Sequence, residues 1–166
     1  MFKKKVCMLG AFAVGKTSLT RRFVEGMFSD KYLSTVGVKV NKKTFRLADR
    51  EVALVIWDVA GESEVQQIRP AYLRGLSGYV LVADMTRPNT LQKAQQIHER
   101  VVSEFGELPF LMVFNKSDLV EERAIEEDTI ESLTNAGWPT LETSAKTGQG
   151  VETAFTALAE AMLEQE

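Results

Sequence analysis

The sequence predicts an α/β fold: a six-stranded, mostly parallel sheet with one antiparallel edge strand and helices on both faces. Short apolar runs alternate with amphipathic helical stretches along the whole chain, which is typical of such sheets. Four distinctive residues, Gly10, Asp58, Asn115 and Ser144, stand at or just past the carboxyl ends of predicted strands. In an open α/β sheet, ligands bind at that edge. The length suits one domain, residues 1–166, with a single core.

The composition argues against several classes of protein. With 45% hydrophobic and 26% charged residues, the chain is predicted to be an ordinary soluble globular protein. The net charge of −3 gives no electrostatic case for nucleic acid as a partner. The single cysteine, Cys7, allows no intramolecular disulfide and favours a reducing compartment.

Nothing in the sequence predicts attachment to a membrane. Residues 164–166 contain no prenylation cysteine, and no apolar run is long enough to span a bilayer. We therefore expect no membrane anchor in this chain, a cytoplasmic location and a monomer. A peripheral membrane location is expected only if a lipidated tail has been trimmed.

The first half of the chain is expected to form a strand, a helix and a hairpin. Strand 3–9 precedes helix 16–25, in which apolar residues recur four apart. Residues 36–47 alternate in polarity, but the apolar positions change register, which predicts an edge strand with a bulge near Lys42. A short turn leads to strand 52–57, which is apolar on both faces and should pair antiparallel with the edge strand.

The second half is expected to add three strands and four helices. One helical stretch ends near Gly75, and the next helix has Asn89 or Thr90 as its candidate N-cap. Gly137 suits the position just after a helix over 126–136. An apolar stripe at helical spacing marks the last helix. The three strands are predicted over 79–83, 110–114 and 140–143.

The segment Gly10–Thr17 has the pattern G-x-x-x-x-G-K-T between a predicted strand and a predicted helix. In that context the pattern is typical of a phosphate-binding loop. Such a loop points several backbone N–H groups into one concavity, and the helix N-terminus adds partial positive charge. Lys16 can place an ammonium between terminal phosphates, and the Thr17 hydroxyl can ligate the Mg²⁺ that accompanies a nucleotide.

Two later motifs suit a guanine base. Asn115-Lys116-Ser117-Asp118 follows the fifth predicted strand. The Asp118 carboxylate can accept hydrogen bonds from guanine N1 and N2, a pattern that adenine does not offer, and the Lys116 stem can lie over the base. The segment 143–146, T-S-A-K, follows the sixth strand and can lend a backbone N–H to guanine O6.

With these motifs in place, the chain resembles the Ras superfamily of small GTPases, and within it the Rab-like branch. The resemblance covers essentially the whole chain and rests on the segments GAFAVGKTSL, YLSTVGV, WDVAGES, NKSD and ETSAKTGQGVETAF. It implies the P-loop small GTPase fold and a molecular switch that binds GTP and GDP with Mg²⁺ and hydrolyses GTP slowly. It also implies protein effectors and regulators that read two switch loops, residues 28–40 and 59–74.

The resemblance implies roles for individual residues by their position in these motifs. Thr35 matches the threonine that ligates Mg²⁺ when the γ-phosphate is present, and Asp58 matches the aspartate that holds Mg²⁺ through a water. Gly61 matches the glycine whose N–H meets the γ-phosphate. Phe28 matches the aromatic that packs edge-on against guanine, although anchoring a loop to the core is an equal alternative. The implied metal ligands are Thr17, Thr35 and Asp58. The implied nucleotide-binding residues are Ala13, Val14, Gly15, Lys16, Thr17, Ser18, Phe28, Thr35, Gly61, Asn115, Lys116, Asp118, Ser144, Ala145 and Lys146.

Two positions depart from the family pattern beside the reaction. Glu62 stands where the family usually has glutamine; a carboxylate can accept a hydrogen bond from the attacking water but cannot donate one to the γ-phosphate. Glu62 and Lys16 are nevertheless the candidate catalytic residues, because Glu62 can still act as a weak general base. Phe12 stands where many Ras-like members carry glycine, and its ring would occupy the path of an arginine finger.

Two other functions stay open at the level of the sequence. The first is a GTP-binding interaction module with little or no hydrolysis, since Phe12 and Glu62 both touch the reaction. The second is an ATPase or kinase that uses the same phosphate loop, which the motifs N-K-S-D and S-A-K argue against.

Overall fold

The computed structural model describes residues 1–29, 37–60 and 68–165. Within those ranges, the six strands are β1 (Phe2–Gly10), β2 (Val38–Leu47), β3 (Arg50–Val59), β4 (Gly78–Asp84), β5 (Phe110–Asn115) and β6 (Thr140–Glu142). They form one sheet in the order β2-β3-β1-β4-β5-β6, in which β2 is antiparallel to β3 and every other pair is parallel. The predicted fold class is therefore confirmed.

Helices cover both faces of this sheet. Their bounds are α1 (Lys16–Glu25), α2 (Pro70–Leu73), α3 (Asn89–Phe105), α4 (Glu127–Asn135) and α5 (Val151–Leu163), with a 3₁₀ turn over Val120–Glu122. On one face, α1 and α5 pack against the sheet, and the Phe23 and Phe155 rings stack with their centroids 4.1 Å apart. On the other face, α2, α3 and α4 form a second apolar cluster. The central strands are buried on both faces because each face has its own helical cover.

The expected bulge near Lys42 is wrong. Strand β2 pairs with β3 without interruption from Val38 opposite Val59 to Leu47 opposite Arg50. The apolar residues change register because the covered face changes along the strand: Val38 packs against the cluster that contains α3, whereas Phe45 packs beneath α1. The positions of the apolar residues along β2 therefore reflect which neighbour covers each face of the strand. The backbone of β2 itself is regular.

The start of α3 also differs from expectation. Pro88 occupies the N-cap position, and the helix has no side-chain cap. Asn89 is already helical, and the Thr90 hydroxyl donates 2.6 Å to the Arg87 carbonyl while it accepts 2.8 Å from the Asp84 N–H. Thr90 therefore ties the helix to the end of β4 and does not cap it.

The carboxyl ends of the parallel strands meet at one edge of the sheet. The residues at this edge include Gly10, Asp84 and Asn115, which are the last residues of their strands, and Asp58, which is the next to last of β3. Asp58, Asp84 and Asn115 are almost fully buried. Across the ranges that the structure describes, none of the helices has the length and apolar character needed to cross a membrane.

Candidate functional site

The segment Gly10–Thr17 forms a tight loop between β1 and α1. Ala13 and Gly15 adopt positive φ values of 62° and 103°. A Cβ on Gly15 would lie 2.2 Å from the Asn115 Nδ2 atom, and a Cβ on Gly10 would lie 2.5 Å from the Val82 carbonyl oxygen. Glycine is therefore required at both positions by close contact, and at Gly15 by the backbone conformation as well.

Side chains from three parts of the chain hold the carbonyls of this loop. The Lys16 ammonium donates to the carbonyls of Gly10 and Ala11 at 3.0 Å each. The Asn115 amide donates to Val14 at 3.0 Å, and Lys116 donates to Ala13 at 3.0 Å. The remaining carbonyl, that of Phe12, accepts from Arg87 at 2.8 Å. All five consecutive carbonyls, from 10 to 14, are thus fixed by a side-chain donor.

A hydroxyl and a carboxylate converge at the start of α1. The Thr17 Oγ1 atom donates to Asp58 Oδ2 over 2.6 Å, and Asp58 is buried. Among the described residues, no group of three or more His, Cys, Asp or Glu could hold a metal. Mg²⁺ does not need such a cage, because it is usually held by one or two protein oxygens together with phosphates and waters. The oxygen pair of Thr17 and Asp58 therefore fits Mg²⁺.

The guanine motifs meet where β5 and β6 end. Asp118 accepts a 2.7 Å hydrogen bond from the Ser144 hydroxyl, which itself accepts from the Thr147 N–H at 3.1 Å. Asn115 Oδ1 accepts from the buried Thr143 hydroxyl at 3.1 Å. The two motifs lie 26 to 28 residues apart in sequence, yet they form one hydrogen-bonded unit.

Arg22 on α1 reaches the same unit from the other side of the loop. Its Nε atom donates to the Ala145 carbonyl at 2.8 Å, and its Nη2 atom donates to the Lys146 carbonyl. These bonds link the helix that follows the phosphate loop to the predicted guanine-binding segment. Arg22 carries no motif signal, because a basic residue in the last turn of a helix is ordinary.

Asp84 is a further charged residue at this edge that the motifs do not mark. Its Oδ2 atom lies 2.9 Å from the Lys116 ammonium and 3.0 Å from Arg87 Nε. Burial raises the pKa of the Asp84 carboxyl, but the hydrogen bonds from Lys116, Thr86 and Arg87 outweigh burial, so its pKa lies below the ordinary value. The sequence could have indicated Asp84 only through its position at the end of a buried strand, a position similar to that of Asp58.

Phe28 and Phe12 differ in their surroundings. Phe28 is half-buried and packs against the apolar cluster that contains α1, a position compatible with both of its expected roles. Phe12 has 54% of its surface exposed, so its ring projects from the phosphate loop. The predicted site residues Thr35, Gly61 and Glu62 lie outside the described residues.

Cys7 and His98 lie away from this edge. Burial raises the pKa of the Cys7 thiol to about 12, so it is a packing residue of β1 and not a nucleophile. His98 bonds the Tyr79 hydroxyl at 2.8 Å and packs against Phe110 and Trp138. Burial holds its pKa below the ordinary value despite the charges of nearby glutamates.

Comparison with known proteins identifies the family. The family model for the Ras family matches residues 5–164. The chain is also 34% identical to the GTP-binding protein ypt1 of Schizosaccharomyces pombe, over 166 residues that cover 97% of this chain and 80% of that protein. The chain belongs to the Ras family, and within it the chain is Rab-like.

As a member of this family, the protein is a small GTPase. It is a molecular switch that binds GTP and GDP with Mg²⁺ and hydrolyses GTP to GDP and phosphate. The predicted activity and cofactor are thereby confirmed. Nothing in the comparisons favours a binding module without hydrolysis.

Proposed function

We propose that the nucleotide lies along the carboxyl edge of the sheet, with its phosphates in the loop Gly10–Thr17 and its guanine between 115–118 and 144–146. The observation that carries this assignment is the Lys116 ammonium, which lies 3.0 Å from the Ala13 carbonyl. This bond joins the base motif to the phosphate loop. The distance between the two motifs is then short enough for one nucleotide to contact both. The proposal extends to every nucleotide-binding residue that the resemblance implies.

The loop stabilises charge on the phosphates. The N–H groups at 13–18 and the N-terminus of α1 would face the β- and γ-phosphates. The Lys16 ammonium, which is already oriented by two loop carbonyls, would meet the terminal phosphates from above. Thr17, Thr35 and Asp58 would hold Mg²⁺, which neutralises charge on the β- and γ-oxygens when it is bound.

Glu62 is proposed to position the attacking water. Its carboxylate accepts a proton or a hydrogen bond from water, but its charge repels the γ-phosphate, so hydrolysis is slow without a partner. Phe12 contributes to this slowness because its exposed ring projects from the phosphate loop, where an arginine finger would enter.

We also propose that effectors and regulators read the nucleotide state through residues 28–40 and 59–74. The described parts of the two segments are joined, because the Ala60 N–H donates to the Gly37 carbonyl at 2.9 Å. Beside this bond, Val40 is 50% exposed opposite Trp57, whose ring lies 6.5 Å from that of Tyr72. This apolar patch contains one residue of each segment, Val40 and Tyr72, which suits a surface whose shape depends on the nucleotide.

At the level of the whole protein, we propose one G domain, residues 1–166, that acts as a cytoplasmic monomer. The match to residues 5–164 supports a domain of this extent. The proposal includes no nucleic-acid partner, in line with the net charge of −3.

Single-turnover hydrolysis of GTP by Mg²⁺-loaded protein tests the site. Lys16→Ala should lower the rate of GDP formation about 100-fold, since a charged donor to the phosphates is lost. Lys42→Ala is the control, because that exposed lysine lies on the edge strand. Equal rates for Lys16→Ala and wild type would refute the assignment of the phosphate site.

Glu62 needs its own pair of variants. Glu62→Ala should slow hydrolysis about 10-fold because water loses its acceptor, whereas Glu62→Gln should accelerate it because the repulsive charge is removed. An unchanged rate in Glu62→Ala would show that Glu62 has no catalytic role, while leaving the phosphate site unaffected.

A further inference from the structure

The structure assigns a positioning role to Asp84 and Arg87: we infer that they orient the phosphate loop through its Phe12 carbonyl. This inference rests on the proposed phosphate-binding role of Gly10–Thr17. Neither residue belongs to a motif that predicts nucleotide binding. Asp84 is the last residue of β4, and Arg87 lies in the short connection that leads to α3.

The end of β4 holds a buried charge. Asp84 is 1% exposed, and its carboxylate contacts two cations, Lys116 at 2.9 Å and Arg87 at 3.0 Å. Its other oxygen accepts from the N–H and the hydroxyl of Thr86 at 2.8 and 2.7 Å. A buried carboxylate with this many donors is held rigidly, and it holds its cations in turn.

Both cations also hold carbonyl groups of the phosphate loop. Lys116 donates to the Ala13 carbonyl at 3.0 Å, and Arg87 donates to the Phe12 carbonyl at 2.8 Å. Asp84 therefore controls two consecutive peptide groups of the loop without touching the loop itself.

The orientation of these carbonyls sets the orientation of the N–H groups. In a trans peptide, the C=O and the following N–H point in opposite directions, and the described chain has no cis bonds. A Phe12 carbonyl held by Arg87 directs the Ala13 N–H the other way, and an Ala13 carbonyl held by Lys116 does the same for Val14. The peptide between Val14 and Gly15 is set in the same manner by Asn115. Three successive N–H groups are thereby aligned for phosphate before it arrives, which lowers the cost of binding.

Arg87 is the residue on which to test this inference, because it is partly exposed and its loss should not unfold the protein. In Arg87→Ala, GDP should dissociate about 10-fold faster from the Mg²⁺-loaded protein, the scale expected for loss of a charged hydrogen bond. The ³¹P resonance of the bound β-phosphate should also shift, while the guanine imino resonance stays in place. A purely structural role would not move the phosphate signal alone.

The matched control is Arg123→Ala. Arg123 likewise bridges a carbonyl and a carboxylate, those of Ile125 at 3.2 Å and Glu142 at 2.9 Å. Neither of these partners belongs to the phosphate loop. It should release GDP within twofold of the wild-type rate. Asp84→Asn should also accelerate release, and its effect should add only in part to that of Arg87→Ala, since both act on the Phe12 carbonyl but Asp84 also acts on the Ala13 carbonyl through Lys116.

The outcomes separate this inference from the proposed function. If wild-type protein holds GDP and Arg87→Ala releases it at the same rate, the inference fails and the proposed site stands. If Arg123→Ala accelerates release as much as Arg87→Ala, general loosening explains the effect and the inference fails as well. A wild-type protein that holds no GDP would overturn both.

Discussion

Gly15 shows how one residue satisfies two demands in the phosphate loop. It adopts φ 103°, which favours glycine, and its Cα lies so close to Asn115 that a methyl group would come within 2.2 Å of the amide nitrogen. The same amide holds the Val14 carbonyl. A side chain at position 15 would therefore displace the donor that orients the loop.

We predict that Gly15→Ala weakens GDP binding at least 10-fold, because it combines the left-handed strain of about 1–2 kcal/mol with loss of the Asn115 bond. Gly26→Ala is the matched control: Gly26 has φ 70°, but nothing lies within 4 Å of its Cβ direction. It should lower the free energy of unfolding by about 1 kcal/mol and leave GDP affinity unchanged. Isothermal titration with GDP and urea unfolding measure both. Similar affinities for the two alanine variants would contradict the steric argument.

At the scale of elements, α1 does more than follow the phosphate loop. Its apolar side holds Phe23 against Phe155 of α5, and its last turn carries Arg22, which bonds the carbonyls of Ala145 and Lys146. One helix therefore connects the two ends of the proposed nucleotide site. Loosening its last turn should affect the base and not the phosphates.

We predict that Arg22→Ala releases GDP about 10-fold faster and lowers the ratio of the affinity for GDP to the affinity for ADP. The physical reason is that the 144–146 segment loses two charged donors to its carbonyls, which hold the backbone of that segment in place. Competition binding with GDP and ADP measures the preference. Arg21→Ala is a neighbouring control, because Arg21 pairs with Glu25 at 3.5 Å within the helix. A preference for GDP that is unchanged in Arg22→Ala would refute this role.

At the scale of the whole molecule, the binding edge collects charged and polar groups that are costly to bury. Lys16, Asp58, Asp84 and Asn115 are all buried there. Lys16 and Asn115 donate to loop carbonyls, whereas the two carboxylates accept from neighbouring side chains. A bound nucleotide would add further partners. Ligand binding should therefore stabilise the fold strongly.

GDP with Mg²⁺ at 100 times its dissociation constant should add about 2.7 kcal/mol to the free energy of unfolding, which is roughly 7 °C in Tm for a chain of this length. Differential scanning fluorimetry measures the shift, and removal of Mg²⁺ with a chelator should reduce it. ADP at the same concentration should produce almost none. An equal shift with ADP would contradict the assignment of 115–118 and 144–146 to guanine.

Much of this protein could be predicted from local patterns in the chain. The loop Gly10–Thr17, the strand and helix around it, and the guanine motifs are all contiguous, and their chemistry depends on spacing along the backbone. Helix α1 begins and ends where its periodicity predicted. The order of hydrophobic segments also predicted the mixed sheet, because buried parallel strands are apolar on both faces.

Only the tertiary structure decided two features: the regular course of β2, and the roles of Asp84, Arg87 and Arg22. The apolar register of β2 depends on which helix covers each face, and a strand pattern does not contain that information. Asp84 and Arg87 are ordinary residues of a strand end and a turn until the fold brings Asp84 within 2.9 Å of Lys116, 32 positions away, and Arg87 within 2.8 Å of the Phe12 carbonyl, 75 positions away. Sequence determines chemistry that works through neighbours in the chain, whereas contacts between distant segments exist only once the packing of the whole sheet has set their distance.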